Sequence, residues 1–397
     1  ITNDTWQNLG ASPYFEWSGA ADNGSGLFGY SVYWGTSPAG EPGTSNIQTV
    51  TNYTATSSVP SDSTYYLRVR TKDNAGNWSS VVTLFTFKYD STSPTNPGTP
   101  CTAYADSGKS VSITNSTWQN LDASPYFEWS GAADNGSGLF GYSVYWGTSQ
   151  TGEPGTSNTQ ANTNYTATSS VPSDSTYYLR VRTMDNAGNW GTTTTLFTFK
   201  YDFTSPTNPD TPCIAWTDSN KQTTLTTNTW QNLDALPYFE WSGATDNSSR
   251  LSGYSVYWGA SDAGDPGTSS LQSINSYTIT TPMPSNTVYY LRLRTRDQIG
   301  NWSEPITLFT FKYDATPPNN SSTCIAYSEQ GTITTIPNNT WQKTDDTPYF
   351  EWSGAIDLQP GSGVEGYAVY WGTLFTGEPG TNTIQSQANY TINTPVG

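Results

Sequence analysis

Acids, amides and glycines recur together in this chain where they could hold a cation. Asp22-Asn23-Gly24-Ser25-Gly26 runs into an aromatic stretch, Gly29-Tyr30-Ser31-Val32-Tyr33-Trp34, and returns as Asp134-Asn135-Gly136-Ser137-Gly138. Looser copies begin at Asp246 and Asp357. Asn23 becomes Leu358 in the last copy, and Gly24 and Gly26 become Ser248 and Arg250 in the third. Only the acid survives in all four. Calcium takes about six to eight oxygens, several of them from carboxylates. One such loop supplies too few, and its spacing is not that of a helix–loop–helix calcium motif. The plainer alternative is a turn whose Asp accepts backbone amides while Gly supplies positive φ.

Three other residue types invite a chemical reading. Six of the eight arginines form pairs, Arg68/Arg70, Arg180/Arg182 and Arg292/Arg294, beside Tyr66, Tyr178 and Tyr290. They make either an arginine–tyrosine ladder over a sheet face or a basic strip that docks on the acidic surface of another copy. Trp78, Trp190 and Trp302 each follow an Asn in a loop. They are either lids on the end of a domain or platforms on which glycans stack. One cysteine falls in each of three repeats, Cys101, Cys213 and Cys324. A disulfide needs Cα atoms within about 7 Å, so domain-spaced cysteines do not pair along an extended chain. They are buried thiols or intermolecular links. Asn-x-Ser/Thr triplets occur at Asn3, Asn52, Asn77, Asn115 and Asn164, and are acceptors only in a compartment that glycosylates.

Catalysis has little to stand on. Histidine is absent, which removes the commonest general base. No nucleophile–base pair and no phosphate loop is visible. Glu16 and Asp22 are paired acids, but strand alternation turns Glu16 outward with no cleft implied. The sequence is read as not an enzyme.

The elements that position these residues follow from a repeat. Trp6, Trp118, Trp230 and Trp341 open matching segments 112, 112 and 111 residues apart, and the cysteines keep the same interval. That period is one domain rather than one solenoid turn. Four units are expected: 1–90 without its lead-in, 91–202, 203–314, and 315–397 stopping before its last strands at Thr394-Pro395-Val396-Gly397. The chain is thus expected to be a segment of a longer array, or one whose ends complete each other between molecules. The 397 residues are 14% aromatic and only 12% charged, which argues against disorder. Pro13–Trp17, Tyr30–Trp34, Tyr65–Thr71 and Leu84–Tyr89 alternate with period two, and Gly/Pro/Asn/Ser clusters separate them. No 3.6-residue period persists. The expected fold is all-β: antiparallel sandwich domains in a linear array.

At this point the residues carry a resemblance. Tyr65-x-Leu67-x-Val69-x-Thr71-x-Asp73-x-x-Gly76, with Trp17 and Gly29-Tyr30-x-Val32-x-Trp34, resembles the strand pattern of fibronectin type III-like domains. Linkers such as Tyr89-Asp90-Ser91-Thr92-Ser93-Pro94 and Tyr313-Asp314-Ala315-Thr316-Pro317-Pro318 resemble those of tandem immunoglobulin-like repeats in large microbial surface or extracellular proteins. The lead-in Cys101–Leu121 exceeds the family's first strand and is expected to add a strand or hairpin. The resemblance implies that the Asp22-type and Asp73-type loops share the pole that meets the preceding linker. Asp90, Asp134 and Asp185 would then converge at one junction, and Asp202, Asp246 and Asp297 at the next, as possible calcium sites; Asp314 and Asp357 would begin a third. It also implies an extracellular or cell-surface spacer, stalk or filament whose partners are copies of itself. An adhesive or glycan-binding array is the alternative. A formal charge of −17 disfavours nucleic acid. No apolar run is long enough to enter a membrane directly.

Overall fold

The computed structural model describes residues 1–343 and 346–395; Val396 and Gly397, part of the stretch at which the fourth repeat is expected to stop, lie outside the described residues. The chain divides into two compact units, Ile1–Thr204 and Ser205–Gly397. Among the described residues there is no helix, and strands account for every regular element.

Within the first unit, Trp6–Gln7, Val82–Tyr89, Ser63–Asp73 and Leu27–Gly35 form one sheet in that order. Tyr14–Glu16 pairs with Asn52–Thr54 in a second. The pattern repeats with Trp118–Gln119, Thr194–Tyr201, Ser175–Asp185 and Leu139–Gly147. There the second sheet gains a strand, Thr102–Tyr104, antiparallel to Tyr126–Glu128. In the second unit that lead-in becomes a hairpin, Ile214–Trp216 with Thr224–Leu225. The long lead-in therefore adds what its length implied. One pairing departs from an all-antiparallel expectation: each short Trp-Gln strand runs parallel to the last strand of its sheet, with Trp118 beside Lys200. The lead-in leaves one sheet and enters the edge of the other in the direction of that strand.

Alternation builds the core. Phe127, Leu179, Val181 and Phe199, drawn from both sheets, are almost wholly buried and pack in one cluster with Cys101 and Ala103. Each such side chain contributes about 1.5–3 kcal/mol. Trp146 sits among Phe127, Tyr177 and Phe199 with ring centroids 5.3, 5.1 and 5.9 Å away. The glycine before the aromatic run has a steric cause. A Cβ on Gly141 would stand 2.6 Å from the Gln160 carbonyl oxygen, which accepts the Tyr142 amide at 2.8 Å. Gly29, Gly253 and Gly366 meet the same obstacle from Gln48, Gln272 and Gln385.

Candidate cation site at the first repeat junction

The site begins with a turn. The Asp134 carboxylate accepts the Gly138 amide at 2.7 Å. Asp22 does the same for Gly26, Asp246 for Arg250 and Asp357 for Gly363, at 2.8, 2.6 and 2.7 Å. The turn-cap reading therefore holds in all four repeats. The capped residue is left-handed each time, with φ of 80°, 79°, 73° and 81° in chain order. Glycine suits that conformation and Arg250 endures it.

A linker acid then arrives from the preceding repeat. Asp90 follows the strand Val82–Tyr89 and donates its amide to the Gln7 carbonyl. Its Oδ1 accepts the Thr92 amide at 2.9 Å, and its Oδ2 accepts the Ser137 amide at 2.8 Å. Neighbouring amides of one turn, Ser137 and Gly138, thus hold acids from two repeats. Asp185 completes the group from the end of the strand Ser175–Asp185. Carboxylate oxygens of Asp90, Asp134 and Asp185 all lie within 4.8 Å of one another. Asp90 and Asp185 are fully buried. Asp62 stands close by: its Oδ1 and Asp90 Oδ2 are each 2.7 Å from where a Cβ on Gly136 would sit.

Amides and linker contacts fix this geometry. Asn189 donates from Nδ2 to the Asp90 carbonyl at 3.0 Å and to Asp185 Oδ2 at 2.8 Å. Its Oδ1 accepts Asn8 Nδ2 at 3.0 Å. Farther along the linker, Asn96 Oδ1 accepts the amide and hydroxyl of Thr183 at 3.1 and 3.0 Å. Asn208 repeats that clasp in the second unit, on the Thr295 and Ser303 hydroxyls at 2.9 and 2.6 Å. Sequence reasoning missed Asn8, Asn96 and Asn189, although the recurrence of Asn77 as Asn189 and Asn301 was a visible signal.

The electrostatics differ between equivalent acids. Burial, with the charges of Asp90 and Asp134, pushes Asp185 above the ordinary carboxylate value despite the hydrogen bonds of Asn189. For Asp73, its counterpart one repeat earlier, hydrogen bonds led by Asn77 hold the carboxyl low. For Asp90, burial opposes the charge, but hydrogen bonds from Ser137 and Thr92 outweigh it and keep the group low. Three like charges gathered with oxygen donors alone suit a hard cation.

The other acids are also held by main-chain amides. Asp202, in the first, accepts the Thr204 amide at 3.0 Å. In the second unit, Asp297 accepts the Gly300 and Asn301 amides at 2.6 and 2.8 Å and Asn301 Nδ2 at 2.7 Å. Asp314 Oδ2 accepts the Ser362 amide at 2.8 Å, next to the Gly363 amide taken by Asp357. The third junction thus reproduces the adjacent-amide pair.

The arginines and tryptophans meet each other. Arg70 lies over the Trp78 ring at 4.7 Å, Arg182 over Trp190 at 4.8 Å, and Arg296, not Arg294, over Trp302 at 5.6 Å. Arg68 Nη1 donates to the Gly40 carbonyl at 2.7 Å, and Arg180 Nη1 to Gly152. Tyr33, Tyr145 and Tyr257 stand directly across from Arg68, Arg180 and Arg292, as a ladder requires. Arg294 turns to Asp265 at 3.2 Å. These tryptophans bridge to the sheet and stack under guanidinium groups. Cys101 and Cys213 are buried and Cys324 is exposed, all with free thiols.

The chain matches no protein-family profile. It is 29% identical over 360 residues to Exoglucanase B of Cellulomonas fimi, covering 89% of this chain and 29% of that protein. The chain therefore spans less than a third of that relative's length. A crystal structure of chicken CNTN1 FN1–FN3 domains aligns over 79% of this chain and 97% of its own, at 15% identity and a TM-score of 0.24. By its strand orders and its repeat, the chain is a tandem array of all-β sandwich domains.

Proposed function

We propose that the chain is a non-catalytic spacer region of an extracellular protein, setting the distance between whatever lies on either side of it. One observation carries the reading. Asn189 ties the Asp90 main chain to Asp185 and to Asn8, so consecutive sandwiches of the first unit are joined by directed hydrogen bonds as well as by a tether. A linker meant to swivel has no use for such bonds. The 29% identity to part of an exoglucanase agrees with service beside an enzyme, and supports an extracellular setting. No helix among the described residues is long and apolar enough to cross a membrane.

Pulsed electron paramagnetic resonance tests this reading. Spin labels carried on unnatural residues at exposed Ser57 and Ser157 leave the cysteines alone. A spacer gives one narrow distance distribution across the junction; a broad one overturns the reading. The rival is a glycan-binding array, favoured by Phe28 at 49% exposure near Lys72 and Trp78. Its mark is retention of the full chain on cellulose or another polysaccharide, with loss on Trp190→Ala. Hydrolysis of cellulose by the purified chain would show that it is catalytic after all.

A further inference from the structure

The acids at the first junction accept hydrogen bonds but have no cationic side chain against them. Among the described residues, the ion pairs are Lys88–Asp4, Lys109–Glu128, Arg180–Glu153, Lys221–Glu240 and Arg294–Asp265. None reaches Asp90, Asp134 or Asp185. Two of those three are fully buried. Charges removed from water are paired or coordinate metals, or they neutralise.

A second, independent observation comes from the third junction. Asp357, counterpart of Asp134, is 8% exposed. Its Oδ2 takes the Gly363 amide, but its Oδ1 is buried with no hydrogen-bond partner. Asp314 is held by the adjacent Ser362 amide, so this orphan oxygen belongs to a carboxylate set beside another carboxylate. A buried acceptor without a donor is unfavourable. A cation between the two acids supplies what is missing.

We propose that Asp90, Asp134 and Asp185 bind one hard divalent cation of the calcium type, with Asp314 and Asp357 forming a two-carboxylate version at the third junction. Every donor is oxygen, and histidine is absent from the chain. That excludes the donor set preferred by zinc or copper. Three carboxylates leave positions for water or main-chain carbonyls, as calcium's flexible shell allows and magnesium's stricter octahedron tolerates less. Asp62 stands at the rim as a fourth acid.

The test uses the full chain, calcium chloride as probe and 150 mM salt, which screens loose binding to an acidic surface. Equilibrium dialysis gives affinity and thermal denaturation gives linkage. The expected result is saturable binding and a melting temperature that rises with calcium. Asp134→Asn with Asp185→Asn weakens the affinity of one site roughly tenfold or more. Without calcium the double variant is at least as stable as the parent, because like charges have gone. That crossover separates a lost site from a damaged fold, and near-ultraviolet circular dichroism confirms that the variant is folded. Asp357→Asn removes binding equivalents of its own. No binding at about 10 mM calcium, or binding unchanged in both variants, overturns the proposal. Neither outcome bears on the width of the spin-label distribution, so the spacer reading stands or falls separately.

Discussion

Asn189 donates its side-chain amide to the main-chain carbonyl of Asp90, 3.0 Å away and one repeat earlier. The same amide group serves Asp185 at 2.8 Å. Asn189→Ala therefore strands a carbonyl and a carboxylate oxygen at once. Unfolding by denaturant should show a loss of about 1–3 kcal/mol, the usual range for a buried group left unsatisfied. Asn77→Ala is the internal control: Asn77 bonds Asp73 in the same way but is exposed. Its loss should be clearly smaller.

Gly138 and Arg250 occupy the same turn position with φ of 79° and 73°. A Cβ on Gly138 would meet Asn186 Nδ2 at 3.5 Å, an ordinary contact. The penalty of Gly138→Ala is then in the backbone, about 1–2 kcal/mol. Arg250→Ala exchanges one side chain with a Cβ for another and should be near neutral. Equal effects in the two variants, measured by thermal denaturation, would contradict this account.

How far the sequence speaks follows from these cases. Alternation in Tyr65–Thr71 was enough to place Leu67 and Val69 inside, and they are 1% and 3% exposed. Period two is a local property, so it is written in consecutive letters. Asp22 and its copies could be read as turn caps for the same reason. The meeting of Asp90, Asp134 and Asp185 was reached only through a family resemblance, because residues 44 and 51 positions apart touch by topology. Asn96 was invisible, since its partner Thr183 lies 87 residues away and no residue pattern announces a linker clasp. The partner of Trp190 was hidden for a related cause: a loop residue returns to the sheet through its pairing with Met184 and stacks under Arg182.

That stacking is open to test. The Arg182 guanidinium lies 4.8 Å from the Trp190 ring centroid. Cation–π contacts of this kind are worth about 0.5–2 kcal/mol. Arg182→Ala should destabilise the chain by an amount in that range and shift the Trp190 emission, as the ring becomes more open to water. Arg182→Lys should recover part of the stability but less of the spectrum, because an ammonium cannot stack as a plane. An assembly strip behaves differently: Arg182→Ala would then change self-association measured by sedimentation and leave the monomer's stability alone.

The cysteines give the last prediction, and its sign can be worked out. Burial pushes the thiols of Cys101 and Cys213 up to about 12, whereas Cys324 is exposed and only raised. Thiolate is the reactive form. A rise from 9 to about 12 cuts the thiolate fraction at pH 8 about a thousandfold. Iodoacetamide on the native chain at pH 8 should therefore modify Cys324 and spare the other two, while all three react in denaturant. The same shifts act on folding. Between pH 9 and about 12 the unfolded chain has lost these protons and the folded chain has kept them. Stability thus falls as pH rises through that window, and is untouched by these groups below it. Replacing Cys101 and Cys213 with Ala should lower stability near neutral pH through lost packing, yet flatten its decline above pH 9. A decline of unchanged slope would mean that neither thiol is held protonated by the core.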